Sequence, residues 1–244
     1  MAEKKLTLAT WNIHMAIGSD GQRNLSRVVT VIRQLQAEVV GLQEVDNQLE
    51  KGRDDLQNMA EQTGMQVIAG PIMQRTRGDY GNALLTSLPV HNVERYDLSF
   101  KRREPRGLLI AELDWQGSPL QVAVTHLGLR PSERRDQVRR LCNHLVEKER
   151  TPLVLMGDFN EWFIWGRPLR QLKRHFGAIR SPATFPSRWP LLQLDHVLVK
   201  PLQCLVRKEV YCEPLARQAS DHLPLVAEVC FVEPDAPLRS ASRL

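Results

Sequence analysis

The stretch Leu153-Val154-Leu155-Met156-Gly157-Asp158-Phe159-Asn160 is an apolar run that ends in two short polar side chains. Four large apolar residues in a row read as a buried strand, and Gly-Asp-x-Asn reads as the turn that follows it. Asn12, Glu44 and His126 likewise close or follow the apolar runs 6–13, 39–43 and 120–125. Two other segments invert this order. In Leu194-Asp195-His196 and Ser220-Asp221-His222-Leu223-Pro224 the polar groups come before the runs 196–199 and 223–231. For all of them to meet at one rim, the last strands must run opposite to the earlier ones. A purely parallel doubly wound sheet would leave them on opposite edges. The fold expected is therefore α/β, with two mixed, mostly antiparallel sheets packed as a sandwich and flanked by helices.

Helices are expected from Asn24 or Ser26 to about residue 36, over 55–63, over 132–148 and over 168–176. The first carries Leu25, Val28, Val29, Ile32 and Leu35 on one face. The third carries Val138, Leu141 and Leu145, with Arg134, Arg135, Arg139 and Arg140 facing elsewhere. Further strands are expected at 65–69, 83–86, 90–98, 108–113 and 205–210. No internal repeat or linker interrupts the chain, so residues 1–232 read as one domain. The Pro-, Ser- and Arg-rich segment 233–244 reads as a loosely held tail.

The 244 residues suffice for a large α/β core, and 42% hydrophobic with 25% charged residues is ordinary for a soluble globular chain. A net charge of +5 suits nucleic acid, phospholipid headgroups or small phosphate esters, and equally suits a merely basic protein. Cys142, Cys204, Cys212 and Cys230 form no C-x-x-C pair, which speaks against a zinc site or a disulfide scaffold. Met1-Ala2-Glu3-Lys4-Lys5 lacks the pattern of a signal peptide, and no apolar run approaches the length of a spanning helix. A cytoplasmic location is the expectation.

The polar residues at strand ends suggest metal-assisted acid–base chemistry on a phosphate ester. Glu44, with a neutral amide oxygen from Asn12, suits Mg²⁺ or Mn²⁺. Asp158 can accept a proton from an attacking water, with Asn160 holding that water or a phosphate oxygen. Asp195 is a candidate partner for His222, leaving Asp221 aimed at metal or solvent. His126 can protonate the leaving-group oxygen, while Asn82 and Arg106 can neutralise phosphoryl charge. His196 reads as a packed, structural histidine. Taken singly, each motif also reads as turn or core chemistry; their combination and order carry the inference.

Together, Thr10-Trp11-Asn12-Ile13-His14, Leu42-Gln43-Glu44-Val45, Gly157-Asp158-Phe159-Asn160, Leu194-Asp195-His196 and Ser220-Asp221-His222 resemble the endonuclease/exonuclease/phosphatase superfamily. Gly81-Asn82, Pro105-Arg106 and Thr125-His126-Leu127-Gly128 extend the resemblance over residues 6–231. It implies a four-layered α/β sandwich and Mg²⁺- or Mn²⁺-dependent phosphoester hydrolysis. It also implies metal binding by Asn12 and Glu44 with help from Asp221, and water activation by Asp158 and Asn160. His14 stands where abasic-site endonucleases carry an acidic residue, which makes that repair role a poorer match.

Two substrate classes follow. The basic runs 101–106 and 130–140 suggest a grip on a nucleic-acid backbone, or else merely a wet helix face. Trp162, Phe163, Ile164 and Trp165 suggest a phospholipid interface and peripheral membrane contact, or else a pocket wall or core segment. A catalytically dead binding module is a third reading, disfavoured because every chemical group above is present.

Overall fold

The short apolar runs pair into two sheets in the computed structural model, which describes residues 5–50, 53–146, 152–163, 165–177 and 180–231. In chain order the elements are β1 (Leu6–Asn12), α1 (Leu25–Leu35), β2 (Val39–Glu50), β3 (Arg53–Asp54), α2 (Asp55–Thr63), β4 (Gln66–Arg75), β5 (Gly78–Thr86) and β6 (Val90–Asp97). They continue with β7 (Gly107–Trp115), β8 (Ser118–His126), α3 (Pro131–Val146), β9 (Leu153–Asp158), α4 (Arg167–Phe176), β10 (Asp195–Lys200), β11 (Leu205–Val210), α5 (Pro214–Ala219) and β12 (Leu225–Val229). The first sheet has the order β11-β12-β1-β2-β5-β4, with β3 paired to the end of β2; the second has the order β10-β9-β8-β7-β6.

Both sheets are buried on both faces, which explains why their central strands are continuous apolar runs rather than alternating ones. Leu6 and Leu8 of β1 enter the core between the sheets, where they join Val39, Leu84, Val124, Met156 and Val197. Ala9 and Trp11 point the other way, into a layer with Val28 and Ile32 of α1 and Met59 of α2. On the far side, Ala123 and Leu155 pack against Val138 and Leu141 of α3 and Leu169 and Phe176 of α4. The result is helix, sheet, sheet, helix: four layers, as the resemblance implied.

Strand directions meet the requirement set by the motifs. β1 and β2 are parallel, as are β8 and β9, whereas β12 is antiparallel to β1 and β10 antiparallel to β9. Strand ends from the first group and strand starts from the second therefore share one edge. Local chemistry sets the boundaries nearby. The Asn24 side chain, not Ser26, accepts from the Arg27 amide and caps α1.

Three expectations need correction. β2 does not empty into a loop at Glu44; it runs on to Glu50, and Glu44 sits in a bulge between Leu42 and Val45 with a left-handed φ of 55°. The helix expected at 132–148 begins at Pro131 and is described to Val146, and Arg134 on it is buried rather than facing water. The six-residue α5 was not anticipated. It is too short to show a helical period, and only Pro214 at its first turn marks it. The segment 233–244 and the N-terminal Met1–Lys4 lie outside the described residues.

Candidate active site

Asp158 ends β9 at the centre of the second sheet, and strand register delivers its neighbours. His126 of β8 lies opposite it on one side and Asp195 of β10 on the other. Gly157 makes the approach possible. Its φ is 147°, and a Cβ there would lie 1.8 Å from the Thr125 carbonyl oxygen. Only glycine meets both demands. Asn160, at φ 50°, then folds back so that its amide N–H donates to Asp158 Oδ1 at 2.9 Å.

The first sheet contributes the other half. The Asn12 Nδ2 donates to Glu44 Oε1 at 2.9 Å and to Asp158 Oδ2 at 3.1 Å, so one amide clasps a carboxylate from each sheet. Those two distances cap the separation of the carboxylate oxygens at about 6 Å. The His14 backbone N–H donates to Asn12 Oδ1 at 3.0 Å, which fixes the amide's orientation. Asn12 was expected to offer an oxygen to a metal; here it offers hydrogens to the carboxylates instead. Ser220 ties the last motif to the same strand end, its hydroxyl donating to the Asn12 carbonyl at 2.7 Å. The Trp11 indole donates to the His222 carbonyl at 2.9 Å.

His222 Nδ1 lies 2.8 Å from Asp195 Oδ2, the pairing expected from sequence, and its Nε2 lies 3.7 Å from Asp158 Oδ2. Asp195 is fully buried and also accepts from the Thr184 hydroxyl at 2.5 Å. Burial opposes charge on His222, but the Asp195 and Asp158 carboxylates win and raise its pKa to about 10. Burial pushes Asp158 up to about 7, against the pull of His222. His126 goes the other way. Burial, with the charges of Arg106 and His222, holds it well below the ordinary histidine range. Its Nε2 lies 2.9 Å from Asn160 Nδ2, so a neutral ring faces the Asn160 amide.

These groups open into a cavity of about 310 Å³ lined by Glu44, Arg106, His126, Asp158, Asn160 and His222, among others. Arg106 is buried, pairs with Glu104 at 3.0 Å and keeps an unpartnered Nε. It lies at the wall between this cavity and a smaller one of about 150 Å³. Asn82 lines only the smaller one and donates to the Gly107 carbonyl, so it is set back from the place expected for it. Asp221 is likewise displaced. It is not among the residues lining the main cavity, and its half-exposed carboxylate lies 3.8 Å from His14 Nδ1. His196 stacks on Phe159 at 4.8 Å, as a packed residue would.

Glu44 and Asp158 offer hard oxygen donors beside a polar cavity, a set that fits a divalent cation such as Mg²⁺ or Mn²⁺. Among the described residues, Asp158, Asp195 and His222 bring ligand-type atoms within 4.8 Å of one another. The Asp195–His222 bond commits two of those atoms to each other, which leaves Glu44 and Asp158 as the freer donors. Sequence reading missed Tyr80, Met15, Arg75 and Phe185 on the cavity wall and Thr184 behind Asp195. No motif marks them; the Phe185 ring reaches His222 at 4.8 Å only through tertiary packing.

Comparison with known proteins agrees with this geometry. The chain is 29% identical over 243 residues to the uncharacterized protein YbhP of Escherichia coli (strain K12), covering 90% of this chain and 94% of that one. Among solved structures, a mannosyl-6-phosphatase of Bacteroides thetaiotaomicron VPI-5482 superposes with a TM-score of 0.74 at 19% identity, covering 93% of this chain and all of that one. The catalytic domain of human Nocturnin gives 0.72 at 19% identity, covering 93% and 94%. At such identities these structures speak to the fold. The model of the Endonuclease/Exonuclease/phosphatase family matches residues 9–222, and the chain belongs to that family.

Proposed function

We propose that this protein is a divalent-metal-dependent phosphodiesterase that hydrolyses its substrate by in-line attack of water. One observation carries the reading: Asp158 is buried between His222 and His126, joined to Glu44 through Asn12, at the floor of a cavity walled by Arg106. Glu44 and Asp158 would hold the cation, which when bound would polarise the phosphoryl oxygens and lower the pKa of water.

Asp158, with a pKa near 7, takes the proton of the attacking water. His222, kept as imidazolium by Asp195, donates through Nε2 to a phosphoryl oxygen, and Arg106 shares the developing charge. His126 was expected to protonate the leaving group. A neutral ring whose Nε2 meets Asn160 suits another task, and we assign it the positioning of Asn160. Phosphoryl transfer needs little covalent help from a protein, so this polar floor is where the rate acceleration arises.

Hydrolysis of bis(p-nitrophenyl) phosphate tests the reading. Activity lost in EDTA, restored by Mg²⁺ or Mn²⁺ and absent in His222→Ala supports it. Full activity in EDTA would end the metal-dependent assignment.

The substrate is a nucleic acid or a phospholipid headgroup. Of the basic residues proposed to grip a nucleic acid, Arg106 and Arg134 are buried, and Arg134 is bound to Glu161. The aromatic residues Trp162, Phe163 and Trp165 are exposed rather than in the core, with Trp162 also on the cavity wall. That exposure favours the lipid reading. Nicking of supercoiled plasmid by wild type and not by His222→Ala would restore the nuclease reading. No helix among the described residues is long and apolar enough to cross a membrane.

A further inference from the structure

The mouth of the cavity carries apolar side chains for which hydrolysis has no use. Trp162, Phe163 and Trp165 follow β9, Leu129 precedes α3, and Trp189 and Leu191 lie in a loop closed by the Phe185–Leu192 bridge. These six range from 54% exposed at Phe163 to 78% at Trp189 and Leu191. Leu129 and Trp162 line the cavity, as do Phe185 and Leu194 at the base of the loop, so the three segments border one opening. A single exposed apolar residue is ordinary, but a set of them around one cavity is not.

Charge is the second observation. From Trp162 through Leu194 the sequence has no Asp or Glu, while it has Arg167, Arg170, Lys173, Arg174, Arg180 and Arg188. All six are exposed, as is Arg130. Each apolar segment thus has an exposed arginine within two positions: Leu129 with Arg130, Trp165 with Arg167, Trp189 with Arg188. The nearby acids point inward. Glu161 is buried against Arg134, and Glu133 is buried and accepts from Gln137.

We propose that the cavity mouth is a docking surface for a phospholipid bilayer carrying anionic headgroups. Indole and leucine side chains sit at the headgroup–acyl boundary while the flanking guanidinium groups meet lipid phosphates. A nucleic acid would satisfy the arginines and stack on the tryptophans, but it offers nothing to Leu129 and Leu191. Each arginine near an anionic surface strengthens partitioning about fivefold. Docking in this orientation sets the cavity against lipid phosphates; that consequence rests on the phosphoesterase reading, whereas the docking itself does not.

The test is co-sedimentation at low salt with phosphatidylcholine vesicles, with and without a minor share of phosphatidylglycerol. Wild type and His222→Ala should pellet with the anionic vesicles. Trp165→Ala/Trp189→Ala and Arg167→Gln/Arg188→Gln should each lose about tenfold or more of that binding. Trp165 and Trp189 do not line the cavity, so their double variant should hydrolyse bis(p-nitrophenyl) phosphate at the wild-type rate. Wild type left in the supernatant, or variants that pellet as wild type does, would overturn the proposal. Retention on a single-stranded oligonucleotide without vesicle binding would overturn it in favour of nucleic acid. Vesicle binding by a protein that hydrolyses neither lipid nor the soluble diester would leave the docking surface standing and remove the enzymatic reading.

Discussion

The floor and the mouth of the cavity reverse the usual partition of side chains. At the floor, Asp158, Asp195, His126, His222, Asn12 and Arg106 are buried; at the mouth, Trp165, Trp189, Leu191 and Leu129 stand in water. Burial of charge is costly unless each group is paired, and the floor is knitted together by Asn12, Asn160, Ser220 and Thr184. Exposed apolar surface costs too, and no contact within the fold compensates it at the mouth. The contrast teaches that the two regions answer to different demands: preorganised charge at the floor, a partner's surface at the mouth.

The largest effects should come from the floor. Asp158→Asn and His222→Ala should each lower turnover on a soluble diester by roughly a thousandfold or more, with the far-ultraviolet circular dichroism spectrum unchanged. Near-normal turnover in either would erase the distinction between floor and mouth.

Disrupting support beneath the floor should cost stability. Arg134 binds the Glu161 carboxylate at 3.2 and 3.3 Å and also donates to the Gly128 and Leu129 carbonyls. Glu161→Gln leaves that guanidinium buried without its counter-charge, and urea denaturation should show a loss of about 3–5 kcal/mol. A loss below about 1 kcal/mol would mean that this clamp does not hold the loop after β9 in place.

The pH–rate profile sharpens the account of the floor. Asp158 must be ionised to accept a proton, so activity should rise as pH increases through about 7. His222 must be protonated to donate, so activity should fall as pH increases through about 10. Asp195→Asn removes a carboxylate that favours the imidazolium, and the alkaline limb should move to lower pH. An alkaline limb that stays in place would dissociate it from His222.

The smallest effect belongs to the mouth. Trp165→Ala should change folding stability by no more than about 0.5 kcal/mol in urea denaturation, as for an ordinary surface site. A larger loss would mean that the mouth is part of the fold rather than an addition to it.

The partition between sequence and structure follows particular residues. Asp158, His222 and Asp195 were legible because each is a polar side chain at the end of a continuous apolar run, and strand direction followed from which end it occupied. The sandwich was legible for the same reason. Asn12 was found but its atom misjudged, since only the His14 N–H shows which way the amide turns. Arg134 was read as a surface charge because helical position says nothing of the Glu161 carboxylate that reaches it from the loop after β9. Tyr80, Phe185 and Thr184 carry no local signal at all.

By itself, then, the sequence determined the alternation of apolar runs and polar ends, and with it the fold class and the chemical inventory of the site. Periodicity and strand polarity are properties of neighbouring residues, so one chain suffices to read them. The tertiary structure alone decided that Asn82 and Asp221 stand apart from the cavity, that His126 faces Asn160, and that Trp189 and Leu191 share a rim with Trp162. Those are contacts between distant segments, settled by how two sheets and their loops pack in three dimensions.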